Sequence, residues 1–147
     1  MTAVEEQFGV PPEEVFAALL DAASYPEWLV GAQRIRHVEP TWPEPGSSFH
    51  HTVGVGPLRI SDKTTVVRVD PSVRLELRAG IGPAGAARVV FTIVGAGDGR
   101  SVVTIDETPE AGVVRFLWGT LSRPLLALGV WGRNDVSLRQ LRAMLER

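Results

Sequence analysis

The residues of this chain best suited to proton chemistry are three histidines, His37, His50 and His51, and one adjacent carboxylate pair, Asp106 and Glu107. An acid or base that works near neutral pH is a histidine, or a carboxyl group whose pKa burial has raised. His51 acting with Glu107 or Asp106 is the pair such chemistry would use. His50 and His51 are neighbours, and neighbours on a strand point to opposite faces, so they do not readily chelate one ion. No His-x-x-x-His spacing or acidic cluster accompanies them, and no metal site is expected. Cysteine is absent, which removes disulfides, thiolate ligands and cysteine nucleophiles. No Gly-x-Ser-x-Gly elbow appears either. The run Gly80-Ile81-Gly82-Pro83-Ala84-Gly85 has the letters of a dinucleotide fingerprint. That motif needs a helix directly after it, and Val89 to Val94 favour a strand, so a hairpin loop is expected and no cofactor.

These side chains are placed by strands. Phe49, His51, Val53 and Val55 share one parity, which directs His51 inward and His50 to water. An inward His51 is either a core histidine bonded to a neighbour or a group that meets a ligand. Val103, Ile105 and Glu107 share a parity, as do Val102, Thr104 and Asp106, and a bulge would exchange the faces. Either acid can be the inward one. The alternative for both is a salt bridge to one of the arginines.

The chain opens on Val4, Phe8 and Val10, alternating with Glu5 and Gln7, as a strand does. Pro11-Pro12 ends it. Glu13 and Glu14 suit a helix start, and Val15, Phe16, Leu19 and Leu20 recur at helical spacing to about Ala22. Ser24-Tyr25-Pro26-Glu27 fits a capping box for a second short helix. From Gln33 to Thr108, strand runs alternate with turn runs at intervals that indicate an antiparallel meander. Leu75, Leu77 and Ala79 alternate with Arg74, Glu76 and Arg78, the pattern of a sheet covered on one face. Val66, Val67 and Val69 fit neither face. Ser122 as N-cap and Pro124 in the first turn then begin a helix of about 24 residues, roughly 36 Å long, with Leu121, Leu125, Leu128, Asp135, Leu138 and Leu145 on one face. Gly129 and Gly132 thin it. Small residues turned to the sheet would leave a void beneath the helix.

Composition narrows the function. In 147 residues, 44% are apolar and 22% charged, and the formal net charge is −2. That is one globular domain over residues 1–147. The arginines are dispersed from Arg34 to Arg147, not gathered as a nucleic-acid site requires, and no nucleic-acid partner is expected. The N-terminal residues lack the basic and apolar regions of a signal peptide, and the apolar stretch near Leu125 to Gly132 is too short to span a bilayer. A cytoplasmic location without stable membrane insertion is the expectation, as a monomer or homodimer.

The opening Val10-Pro11-Pro12-Glu13-Glu14-Val15-Phe16, then Asp21 and Ser24-Tyr25-Pro26-Glu27-Trp28, resembles the SRPBCC superfamily of START-like lipid carriers and polyketide cyclase/dehydrase-like proteins. The tail Arg133-Asn134-Asp135-Val136-Ser137-Leu138-Arg139-Gln140-Leu141 resembles the end of that group's long helix. The resemblance implies an α+β helix-grip fold: a seven-stranded curved antiparallel sheet, two short helices after strand 1, and a long C-terminal helix over a deep cavity. It supplies no shared catalytic set, because function resides in the cavity lining.

The expected function is binding of a small hydrophobic molecule, such as a lipid, polyketide or aromatic metabolite, between sheet and helix. Phe49, His51, Val53, Phe91 and Glu107 would line the cavity from the sheet. Trp118, Leu121, Leu125, Leu128, Trp131 and Asn134 would line it from the helical side. His51, Asn134 and Glu107 would orient the ligand. The rival is a cyclase, dehydratase or hydrolase, which needs His51 and a carboxylate to converge on each other or on the ligand. A third reading, a protein-binding domain, needs a large exposed apolar patch, with Trp42 and Trp131 adjacent in it.

Overall fold

The computed structural model describes residues 2–55, 57–120 and 122–147, with the backbone alone at residues 2, 53–55 and 58. Strand β1 (Thr2–Phe8) turns Val4 and Phe8 into the core and leaves Glu5 and Gln7 in water, as the alternation requires. Helix α1 (Pro12–Leu20) starts at its proline and buries Val15, Phe16, Ala18 and Leu19. A 3₁₀ turn at Ala22–Ser24 leads into α2 (Tyr25–Trp28). The capping box expected at Ser24 is not formed. Ser24 is itself helical, and its hydroxyl bonds the Asp21 carbonyl at 2.8 Å while accepting the Trp28 indole N–H at 3.2 Å. Ser122 occupies its expected N-cap position, but its side chain makes no capping bond.

The meander follows in order: β2 (Ala32–Val38), β3 (Ser48–Val55), β4 (Leu58–Asp70), β5 (Arg74–Gly80), β6 (Ala86–Gly97) and β7 (Arg100–Ala111). All pairs are antiparallel, and β1 returns to pair with β7, giving the order β1-β7-β6-β5-β4-β3-β2. Register shifts in β2, β4 and β6 add bends to the natural twist, which curves the sheet. The shift between Val66 and Arg68 also resolves the valines that fit neither face. Val66 is buried and Val67 is exposed, while Val69 packs against the core, as expected when one extra residue inverts the alternation.

Gly80 to Gly85 form the β5–β6 hairpin connection, with a 3₁₀ turn at Gly82–Ala84. The Asp62 carboxylate accepts the Gly82 N–H at 2.8 Å, and a Cβ on Gly80 would lie 2.3 Å from Asp62 Cγ. The glycines therefore serve the turn and this close packing. On the convex face, Glu76 and Glu110 hold Arg88, and Glu110 also pairs with Arg78, so adjacent strands are tied by alternating charges.

Helix α3 (Gly112–Trp118) follows β7 and was not foreseen in the sequence. Helix α4 (Arg123–Leu145) then crosses the concave face. Its buried face is Asn134, Ser137, Leu138 and Leu141, packed on β1, β7 and α2. Of the leucine stripe read from the sequence, Leu138 is buried and Leu145 packs against the core. Over the cavity, however, Leu125 stands exposed at the rim and Leu128 is exposed on the outer face, and the inner line there passes through Leu126, Gly129, Val130 and Arg133. Leucine spacing misled because this half of the helix meets a void, and no packed core selects its residues.

Candidate functional site

Between the concave face and α4 lies a cavity of about 490 Å³. Its floor is aromatic. Tyr25 meets Phe49 edge-on with ring centroids 5.0 Å apart, Phe49 meets His51 at 5.7 Å, and Trp28 backs Phe91 at 6.1 Å. Edge-to-face contacts of this kind fix ring orientation as well as burying apolar area. Ile35, Leu77, Val89 and Ile105 extend the walls, and Leu126, Gly129 and Val130 roof them from α4. A Cβ placed on Gly129 would meet nothing within 4 Å, so this glycine borders open space. The cavity reaches the surface beside Val30 and Leu125, which line it yet are 36% and 76% exposed.

Few polar groups enter these walls. His51 is 4% exposed, and neither ring nitrogen has a hydrogen-bond partner among the described residues. Burial pushes its pKa down from the ordinary histidine value, against the opposing pull of the Asp62 carboxylate across the β3–β4 pair. The imidazole is thus neutral near pH 7, with one donor and one acceptor nitrogen free. The Tyr25 hydroxyl, by contrast, is spent on the Leu19 carbonyl at 2.6 Å, and burial raises its pKa well above the usual phenol range.

Of the two acids, Glu107 is the inward one, in register with Val103 and Ile105. It accepts a hydrogen bond from Arg133 Nη2, and the Asn134 amide approaches it at 3.5 Å. The Asn134 carbonyl oxygen accepts from the same Arg133 nitrogen at 3.2 Å. Arg133 Nε is buried without a partner among the described residues. The expected partnership of His51 with a carboxylate is not formed. β3 and β7 stand four places apart in the sheet, about 19 Å along it at roughly 4.8 Å per strand. The inward side chains Leu77, Val89 and Phe91 lie between them. The two polar groups occupy opposite walls of one cavity.

Phe49, His51, Phe91, Glu107 and Leu125 line the cavity. Asn134 is fully buried behind Glu107. Leu128 and Trp131 stand on the outer face of α4, 66% and 46% exposed, and not on the cavity wall. Trp118 lies under the Arg123 guanidinium, 5.4 Å from its ring centroid, also off the wall. Leu121 and the Val53 side chain fall outside the described residues. Tyr25, Thr64, Val130 and Arg133 line the cavity and were not among the residues expected to. Arg133 was the most accessible to sequence reasoning, since Leu126, Val130, Arg133 and Ser137 keep one helical face. Trp42 packs edge-on against Phe49 at 4.9 Å and bonds the Leu20 carbonyl, so it forms no exposed pair with Trp131.

The sequence matches a family model described as polyketide cyclase/dehydrase and lipid transport over residues 1–146. No curated protein matches it. Among solved structures, Zhui aromatase/cyclase from Streptomyces sp. R1128 is similar at a TM-score of 0.73 and 16% identity, covering 99% of this chain and 93% of that one. Ara h 8.0201 is similar at 0.67 and 12%, covering 97% and 96%. DynU16, described as a putative protein in the dynemicin biosynthetic locus, is similar at 0.65 and 20%; 99% of this chain matches 46% of that longer one. At these identities the likeness establishes the helix-grip fold.

Proposed function

We propose, since this chain belongs to the polyketide cyclase/dehydrase and lipid transport family, that it binds a small, largely apolar molecule between the sheet and α4. The observation that carries this reading is the cavity itself, about 490 Å³ with aromatic and aliphatic walls. Sites for small molecules commonly measure about 300–1,000 Å³ and combine apolar walls with a few oriented polar groups. A void of this size lined by apolar side chains costs the free protein dispersion contacts, which a ligand would restore. His51 on one wall and Arg133 on the other favour a ligand with a polar group toward each end, an aromatic or polyketide-like molecule more than a plain fatty chain. Native mass spectrometry of the purified protein, compared with the same sample denatured, tests the reading. A bound mass of a few hundred daltons (order of magnitude, from the cavity's size class) that is lost on unfolding is expected. Failure to bind any apolar or aromatic probe, in mass spectrometry and in titration, would remove it.

A second reading, a cyclase- or dehydratase-type enzyme, rests on His51. A buried, neutral, unpartnered imidazole is suited to take a proton from a ligand held against it. Glu107 would then act only through the ligand, from the far wall. Turnover of poly-β-keto model substrates, lost in His51→Ala with binding retained, is the outcome that would favour this reading over a carrier.

A further inference from the structure

We propose that the corner formed by α3 and the first half of α4 is a docking surface for an anionic lipid bilayer. Five large apolar side chains there, Val113, Phe116, Leu125, Leu128 and Trp131, are between 46% and 76% exposed. Scattered single apolar residues need no explanation, but this concentration on two adjacent helices does.

Charge identifies the occupant. From Ala111 to Asn134 the sequence contains no acidic residue, and its charges are Arg115, Arg123 and Arg133. Arg133 is engaged by Glu107, which leaves Arg115 and Arg123 at the surface. Arg123 lies over the Trp118 ring, a cation held beside an amphipathic aromatic. Apolar side chains, tryptophans and arginines without acids are the composition of a helix that lies in a headgroup layer. A second copy of the chain fits less well. A two-fold interface sets the patch against itself, so arginines would meet with no carboxylate to neutralise them. Among the described residues, no single helix is long and apolar enough to cross a membrane. α3 and α4 have the length and composition of a span only when taken together across a 117° bend. α4 also buries Asn134, Ser137, Leu138 and Leu141 within the protein, so the docking proposed is at the surface.

The patch is continuous with the cavity mouth. Leu125 belongs to both, and Val114 of α3 lines the cavity as well. Docking would set the mouth against the acyl boundary, so that an apolar ligand could enter without crossing water. That consequence rests on the proposed binding function, whereas the docking itself does not.

The test is co-sedimentation of the full chain with vesicles of phosphatidylcholine alone and of phosphatidylcholine mixed with phosphatidylglycerol. Binding is expected on the mixed vesicles and weaker binding on the neutral ones. Phe116→Asp combined with Leu128→Asp should abolish it. Arg115→Gln and Arg123→Gln should each weaken binding to the mixed vesicles alone, by about fivefold. Val94→Asp, an exposed change toward the other end of β6, should leave it unaltered. Neither Phe116 nor Leu128 lines the cavity, so uptake of a soluble aromatic probe by the double variant should persist and report an intact fold. No binding to either vesicle overturns the proposal, as does binding that survives the double substitution. A concentration-dependent dimer dissolved by Phe116→Asp, without vesicle binding, overturns it in favour of a second copy. Vesicle binding without probe uptake would sustain docking and remove the cavity reading.

Discussion

Arg133 on α4 donates a hydrogen bond to Glu107 on β7, joining the long helix to the sheet at the inner wall of the cavity. The two ends of this pair differ in exposure. The Glu107 side chain is 9% exposed and the Arg133 side chain 37%. Removing the arginine strands a carboxylate among apolar walls, whereas removing the carboxylate leaves a guanidinium that can turn toward water. Arg133→Met should therefore cost about 2–3 kcal/mol and Glu107→Gln only about 1 kcal/mol, the latter reduced by solvent screening. Urea denaturation of both variants checks the asymmetry, and equal losses would show that the pair contributes through packing alone.

His51 makes stability depend on pH. Its folded-state pKa lies below its unfolded value, because burial disfavours the imidazolium. Above the unfolded value, about 6.5, both states are neutral at this site and its contribution is fully present. As pH falls through that value toward the folded pKa, the unfolded chain binds a proton that the folded chain resists, and stability is lost. The wild type should lose more stability than His51→Gln between about pH 7 and pH 5. His37 and His50 are present in both proteins, so the difference isolates His51. Parallel thermal-unfolding profiles across that range would contradict the assignment.

The sheet was the most legible part of this molecule. Strand alternation and turn residues indicated the antiparallel meander that β2 to β7 form, and parity turned His51 inward and His50 outward, where His50 meets Glu39 at 3.4 Å. Parity alone could not choose between Asp106 and Glu107. The choice depended on the absence of a bulge in the middle of β7, which is set by pairing with β1 and β6. The α4 half of the site was the least legible. A helix face is read from the side chains it buries, and over the cavity α4 buries few. Its inner residues there are Leu126, a glycine, a valine and an arginine, while Leu125 stands exposed at the mouth and Leu128 faces out. The most apolar stripe is therefore not the inner one.

Gly129 separates stability from binding. It sits inside α4 with open space where a side chain would project. Gly129→Ala should stabilise the protein by about 1 kcal/mol, the difference in helix propensity, and leave most of the cavity free. Gly129→Phe should keep the helix intact but occupy the cavity and weaken binding of an aromatic probe by at least about tenfold. Melting temperature and probe titration on the same samples check both. Full affinity in the phenylalanine variant would mean that the ligand does not lie under this part of α4.

Gly85 and Gly112 hold the rim of the cavity together by close backbone approach. A Cβ on Gly85 would lie 1.9 Å from the Ala111 carbonyl oxygen, and one on Gly112 would lie 2.5 Å from Gly85 Cα. The β5–β6 connection is thereby pressed against the junction of β7 and α3, the two segments that carry the lining residues Ile81 and Val114. Gly85 also has φ +120°, so a side chain there suffers conformational strain and a clash with backbone that cannot swing aside. Gly46, at φ +89° with nothing within 4 Å, carries the strain without the clash. Gly46→Ala should cost about 1 kcal/mol and Gly85→Ala at least about 3 kcal/mol, with the second also weakening probe binding as the rim shifts. Urea midpoints of the two variants measure the difference. If they coincide, the contact between the two glycine segments contributes nothing beyond local backbone strain, and the rim must be held instead by Asp62 through its bond to the Gly82 N–H.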